Sequence, residues 1–153
     1  MTRNASRLAA TSVALFMLAT NVVGAALITL NFALAVPLWK LASWSALVAA
    51  VAVAVAFRRL AVRHRTERVA TLKDVRETVL DGISLGAVWS IAPLLFGPSA
   101  DAEHAAALWI IVSILMAASS VAMAALPLAT IAFLVVLGGS AAVSLALTTS
   151  PTL

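Results

Sequence analysis

The sequence contains no cysteine, and it has few charged residues outside one short segment. Without thiols, the chain cannot form a disulfide framework, a thiolate metal site or a cysteine nucleophile. Charged residues make up only 10% of the chain and hydrophobic residues 63%, whereas soluble domains contain about 25% charged and about 45–50% apolar residues. We therefore expect an integral membrane protein, with the lipid bilayer as its principal partner.

Recognisable catalytic arrangements are also missing from the sequence. Nucleophile motifs, paired carboxylates, phosphate-binding glycine loops and H-E-x-x-H spacings are all absent. We expect this chain to have no enzymatic activity of its own and to bind no metal or other cofactor.

Long apolar runs divide the chain into about five membrane spans, at residues 8–30, 41–57, 79–96, 105–126 and 128–147. Residues 105–147 would extend for roughly 60 Å as one helix, so we expect a turn near Pro127. The prediction is an all-α, polytopic transmembrane bundle in which residues 1–153 form a single membrane domain. A cleaved signal peptide is the alternative for the first run, although that run exceeds the usual length of a signal-peptide core.

The distribution of charge predicts the orientation of the bundle. Seven of the ten Lys and Arg residues lie between Arg58 and Arg76, and cytoplasmic loops carry an excess of such residues. Residues 58–78 are therefore predicted to be a cytoplasmic basic loop, from which apolar residues at helical spacing lead into the third span. Arg3 and Arg7 place the N-terminus in the cytoplasm, and we expect a bacterial inner-membrane location. The basic segment lacks interleaved aromatic residues, which argues against nucleic-acid binding.

Three polar residues within or near the spans are candidate functional groups. Asn21 lies inside the first span and needs a hydrogen-bond partner on another helix. Asp81 lies near the start of the third span, where it could be functional, although we favour pairing with an arginine at the headgroup level. His104, with Asp101 and Glu103, could sense protons or cations, because imidazole titrates near neutral pH. A solvated connector is the simpler interpretation of that cluster.

Small residues are frequent on the helices and permit close helix packing. They favour ordinary packing within the bundle, and they could also support a homodimer. The residues concerned are Gly24, Ala25, Ser113, Ala117, Ser120, Ala124, Gly138, Gly139 and Ala142.

The segment Gly86–Phe96 reads GAVWSIAPLLF and follows the basic segment. With Trp89 three residues after its first glycine and Pro93 near its end, it resembles a segment of the N-terminal transmembrane sensor regions of bacterial diguanylate cyclases (GGDEF/EAL proteins) and sensor histidine kinases. Pro93 is also expected to bend the helix near Trp89.

In those sensor regions, the helix is followed by a short outer loop with a histidine or acidic residue, and then by a small-residue helix that ends at a proline. Here His104, Ala117 and Pro127 match that order, so the resemblance covers roughly residues 59–136. Such regions normally continue through a further span into a cytoplasmic GGDEF, EAL or kinase domain, which this sequence does not contain.

The resemblance implies a membrane-embedded sensory or anchoring domain of a bacterial signalling protein, with a cytoplasmic signalling domain as its partner. The odd number of spans suggests a truncated six-span domain. The alternatives are a small transporter or channel subunit, and a structural membrane protein.

Overall fold

The computed structural model describes residues 2–63, 72–122 and 127–149. These residues form five α-helices and no strand, which confirms the predicted all-α class. A single 3₁₀ turn, Gly97–Ser99, precedes the fourth helix. The helices are α1 (Thr2–Phe32), α2 (Leu38–Arg63), α3 (Leu72–Leu95), α4 (Ala102–Ala122) and α5 (Pro127–Thr149).

Each of the five helices contains an apolar stretch of 18 to 23 residues that is long enough to cross a membrane. Their outward surfaces carry many exposed large hydrophobic side chains, among them Leu30, Ile114 and Val135. Water would not solvate such a surface, whereas acyl chains would. The prediction of a polytopic bundle of five spans is therefore confirmed.

The segment predicted as a basic loop is partly helical. Helix α2 continues past Phe57 to Arg63, and α3 already begins at Leu72, as the helical spacing of apolar residues in that segment indicates. Residues 64–71 of the predicted basic loop, and the residues just before Pro127 where a turn is predicted, lie outside the described residues.

The packing of the helices gives a ring in the order α1, α2, α3, α5 and α4. The interface between α3 and α5 is the most extensive, whereas α4 and α5 touch only slightly. Half of the residues in the apolar stretch of α3 are buried, compared with a third or fewer in the other four helices. Helix α3 is therefore the most buried of the five helices.

Two glycines on α3 allow its backbone to approach α5 closely. A Cβ atom on Gly82 would overlap the carbonyl oxygen of Ala129, and one on Gly86 would lie 3.1 Å from the carbonyl oxygen of Phe133. The two glycines are four residues apart, which is the spacing of a Gly-x-x-x-Gly packing motif. The two glycines are present in the sequence, but they are not among the small residues that the sequence analysis predicts to pack.

Candidate functional site

Four aromatic side chains fill the centre of the bundle and contact one another in series. The ring centroids of Trp89 and Trp44 are 5.4 Å apart, those of Trp44 and Phe96 5.8 Å, and those of Phe96 and Phe32 5.5 Å. Each of these four residues is at most 3% exposed. We call this group the aromatic column. Both tryptophan contacts are edge-to-face, an arrangement that aromatic quadrupoles favour.

A buried hydrogen bond joins α1 to α3 at one end of the aromatic column. The Trp89 indole Nε1 donates to Asn21 Oδ1 at 2.6 Å, and Asn21 Nδ2 donates to the Met17 carbonyl oxygen at 2.7 Å. Gly24 leaves room for the indole, since a Cβ there would lie 2.9 Å from the Trp89 ring. The sequence predicts that Asn21 bonds to another helix, and Trp89 is that partner.

Further hydrogen bonds fix the end of α3. The Trp44 indole donates to the Val88 carbonyl oxygen at 3.1 Å. Pro93 has no N–H, so it cannot donate to the Trp89 carbonyl within the helix, yet α3 continues to Leu95. The Ser144 hydroxyl of α5 donates to the Pro93 carbonyl at 2.6 Å. The bend near Trp89 stays a prediction.

His104 lies at the other end of the aromatic column. Its imidazole is 5.6 Å from the Phe32 ring, and its Nδ1 is 2.7 Å from Asp101 Oδ1. Asn31 Nδ2 donates to the His104 carbonyl oxygen at 3.3 Å, which links α1 to α4. Thus the column contacts Asn21 at one end and the His104–Asp101 pair at the other.

Asp101 caps the N-terminus of α4. Its Oδ1 accepts a hydrogen bond from the His104 backbone N–H at 2.9 Å, the usual geometry of an N-cap. The pKa of the Asp101 carboxyl lies below its ordinary value, first because of this backbone hydrogen bond and second because of the hydrogen bond with the His104 side chain. Asp101 is therefore ionised at neutral pH.

A cluster of charged residues lies at the opposite end of the bundle, where α2 ends and the apolar stretch of α3 begins. Arg58 Nη2 is 2.8 Å from Asp81 Oδ1, and the Asp81 side chain is 7% exposed, compared with 55% for Arg58. Arg59 Nη1 donates to the Met17 sulfur on α1 at 3.2 Å. The predicted pairing of Asp81 with an arginine is confirmed, and its partner belongs to α2. We call this cluster the basic end.

A small cavity lies where α1, α2 and α3 meet, between the aromatic column and the basic end. Its volume is about 10 Å³, enough for about one water molecule. Its polar lining comes from Asn21 and Arg59. The remaining lining residues are Met17, Leu18, Ala52, Val55, Ala56 and Leu85.

The structure brings Asn21 and Trp89 into direct contact, and the aromatic column links both to His104. Pro93 lies on the α5 side of α3, and Asp81 belongs to the basic end. Sequence reasoning missed Trp44, Phe32 and Phe96, because an aromatic residue in an apolar run can face lipid as readily as the core. Among the described residues, no group of three or more His, Asp or Glu could hold a metal ion.

Comparisons with protein-family models, with curated proteins and with solved structures find no match. The resemblance to transmembrane sensor regions stays a prediction. The functional interpretation therefore depends on the contacts within the bundle.

Proposed function

We propose that this chain is a membrane-embedded sensory and anchoring domain of a bacterial signalling protein, of the cyclic-di-GMP or histidine-kinase type. In this role, its helix movements would bias the state of a cytoplasmic output domain or partner. The observation that carries the proposal is the buried Asn21–Trp89 hydrogen bond, which links α1 to α3, the most buried helix. The aromatic column extends this link to His104 at one end of the bundle.

The charge distribution supports one orientation in the inner membrane. Seven of the ten Lys and Arg residues lie between Arg58 and Arg76, so positive-inside bias assigns the basic end and the N-terminus to the cytoplasm. His104 and Asp101 then lie at the outer face. A stimulus from outside would reach the column first, and its effect would reach the basic end through α1 and α3.

The contact between α1 and α3 is suited to rearrangement. It relies on long side chains and one interhelical hydrogen bond, and such bonds in membranes contribute on average about 0.6 kcal/mol and at most about 1.7 kcal/mol. Two arrangements of α1 relative to α3 can therefore differ by only a few kcal/mol, which a stimulus of modest affinity can overcome.

A small transporter or channel subunit is the second candidate, and the cavity beside Asn21 and Arg59 is the observation that favours it. However, transport needs a path along the bundle, and the aromatic column fills the centre where that path would run. A purely structural role would require α1 and α3 to stay fixed relative to each other.

Thiol labelling in native membranes tests whether the α1–α3 contact moves. The chain has no cysteine, so each introduced cysteine reports a single position. Ala52→Cys lines the cavity, whereas Ala129→Cys lies in the α3–α5 interface and serves as the matched control. We expect a small membrane-permeant thiol reagent to label Ala52→Cys slowly, and faster once Asn21→Leu removes the hydrogen bond. Ala129→Cys should stay unlabelled in both backgrounds.

Equal labelling of Ala52→Cys with and without Asn21→Leu would contradict the sensory proposal and favour a static anchor. An impermeant reagent tests the orientation separately. It should label Thr66→Cys only from the cytoplasmic side and Ala100→Cys only from the outer side. The reverse pattern would overturn the assigned orientation.

A further inference from the structure

We infer that the His104 end of the aromatic column is a proton sensor, in which protonation of the His104 imidazole alters the Asn21–Trp89 hydrogen bond. The inference rests on the proposed function, because it names the stimulus that the same column would transmit. The site is the contact among His104, Asp101 and Phe32, and its ligand is a proton from the water at that end of the bundle.

His104 has one ring nitrogen that can take up this proton. An ionised carboxylate only accepts hydrogen bonds, so the 2.7 Å contact with Asp101 places a proton on His104 Nδ1. Nε2 is then the basic nitrogen. The His104 side chain is 29% exposed, so protons can reach it from water. Imidazole groups in general change charge between about pH 5 and 8.

Asp101 is the titratable group in contact with the His104 ring among the described residues. On α4 itself, Glu103 is adjacent in sequence and exposed. The neighbouring groups on α1 and directly after α3 are uncharged. On α2, the Lys40 Nζ lies 5.7 Å from the centroid of the Trp39 ring. The residues concerned are Asn31 and Phe32 on α1, Phe96 directly after α3, and Lys40 and Trp39 on α2.

Protonation would act on α1 through Phe32. A positive imidazole is attracted to an aromatic ring within about 6 Å, and the two centroids are 5.6 Å apart. Phe32 also contacts Phe96, which directly follows the last residue of α3. Side chains in protein interiors are closely packed. A change in the position of Phe32 therefore alters the position of α1 relative to α3.

The same two helices meet again at the Asn21–Trp89 hydrogen bond. Since α1 carries both Phe32 and Asn21, and Phe96 directly follows the helix α3 that carries Trp89, a shift at the first contact changes the geometry of the second. The α3–α5 interface is the most extensive in the bundle, so we expect α1 to move relative to α3 and not α3 relative to α5. Protonation of His104 thereby changes the geometry of the Asn21–Trp89 hydrogen bond in the middle of the bundle.

Nuclear magnetic resonance of the indole groups tests this inference on the full chain. The chain has four tryptophans, so protein labelled with ¹⁵N-indole tryptophan in lipid nanodiscs gives four indole signals, and Trp89→Phe identifies that of Trp89. Between about pH 5 and 8, we expect the Trp89 signal to shift in a single step. The shift should disappear in His104→Gln and persist in His64→Gln, the matched control.

A second variant keeps the test decisive if His104→Gln does not fold. Phe32→Leu retains the histidine but interrupts the column, so the Trp89 signal should stay fixed over the same pH range although His104 is present. The inference is overturned if the wild-type Trp89 signal does not respond to pH, or if its response survives His104→Gln or Phe32→Leu. The proposed function is tested separately. If Asn21→Leu speeds the labelling of Ala52→Cys, the sensory role is supported even when the proton is not the stimulus.

Discussion

Helix α3 packs directly against α5, whereas it reaches α1 only through side chains that extend across the bundle, and these two contacts differ in kind. Against α5, Gly82 and Gly86 bring backbone to backbone, with no room for a Cβ atom at Gly82 and only a tight 3.1 Å contact for one at Gly86. Against α1, the Trp89 side chain reaches across to a single amide, that of Asn21. Backbone packing of the first kind cannot shift without clashes, whereas a side-chain hydrogen bond can break and re-form. We therefore expect α3 and α5 to stay fixed relative to each other and α1 to move relative to both.

The largest expected effect comes from filling the α3–α5 contact. Gly82→Leu would force side-chain atoms into the Ala129 carbonyl, and overpacking of a tight interface typically costs about 1–3 kcal/mol and sometimes more. We expect a loss of at least about 3 kcal/mol in the free energy of unfolding, or no folded protein at all. Unfolding by sodium dodecyl sulfate in mixed micelles, followed by circular dichroism, measures it.

Gly139→Ala is the matched control, because a Cβ at Gly139 meets no other atom within 4 Å. It should leave the free energy of unfolding unchanged or raise it by less than about 1 kcal/mol, the difference in helix propensity between alanine and glycine. Similar losses in both glycine variants would contradict the rigid-pair interpretation.

A smaller effect is expected for the hydrogen bond between α1 and α3. In a double-mutant cycle of Asn21→Leu with Trp89→Phe, we expect a coupling energy of about 1 kcal/mol, within the range found for interhelical hydrogen bonds in membranes. The control cycle pairs Thr20→Val with Trp89→Phe, because the Thr20 hydroxyl bonds to its own helix at the Phe16 carbonyl. That cycle should give no coupling, and a value equal to that of Asn21 would argue against a specific bond.

The ion pair at the basic end should contribute less. Arg58 is half-exposed, so water screens the attraction, and we expect Asp81→Asn with Arg58→Gln to couple by at most about 1 kcal/mol. The same cycle with Arg76→Gln, an arginine nearer to Asp81 in sequence, should give none. Coupling to Arg76 in place of Arg58 would contradict the observed 2.8 Å contact.

The smallest effect concerns the cap of α4. Because folding lowers the pKa of Asp101, its ionised form stabilises the bundle at neutral pH, and that contribution disappears as the pH falls below the ordinary range for aspartate, near 4. We expect the melting temperature of the wild type to fall in this acidic range more than that of Asp101→Asn, whose amide oxygen can still cap the helix. Parallel curves for the two proteins would show that the cap does not contribute.

Sequence reasoning predicts the five spans well, because long apolar runs have few interpretations other than membrane helices. It also predicts that Asn21 and Asp81 need partners, since a buried amide or carboxylate is costly without one. It does not identify Trp89 or Arg58 as those partners. Which residues face each other across helices depends on packing, and one sequence carries no record of that.

Sequence reasoning also fails to identify which glycines pack between helices. The spacing of Gly82 and Gly86 is present in the sequence, yet an alanine-rich chain contains so many small residues that the essential pair does not stand out. Gly139, selected as a packing residue, lies in open space, whereas Gly82 lies against the Ala129 backbone. Only the position of the neighbouring helix separates the two cases.

The most direct test of the central comparison measures two distances in the same chain by double electron–electron resonance in nanodiscs. One pair of spin labels, at Val22 and Ile83, spans α1 and α3, and the other, at Ile83 and Ile131, spans α3 and α5; all three positions are exposed. We predict that Asn21→Leu broadens or shifts the first distance distribution and leaves the second unchanged. If the first stays unchanged, or both change equally, α1 does not move relative to a rigid α3–α5 pair and the account is wrong.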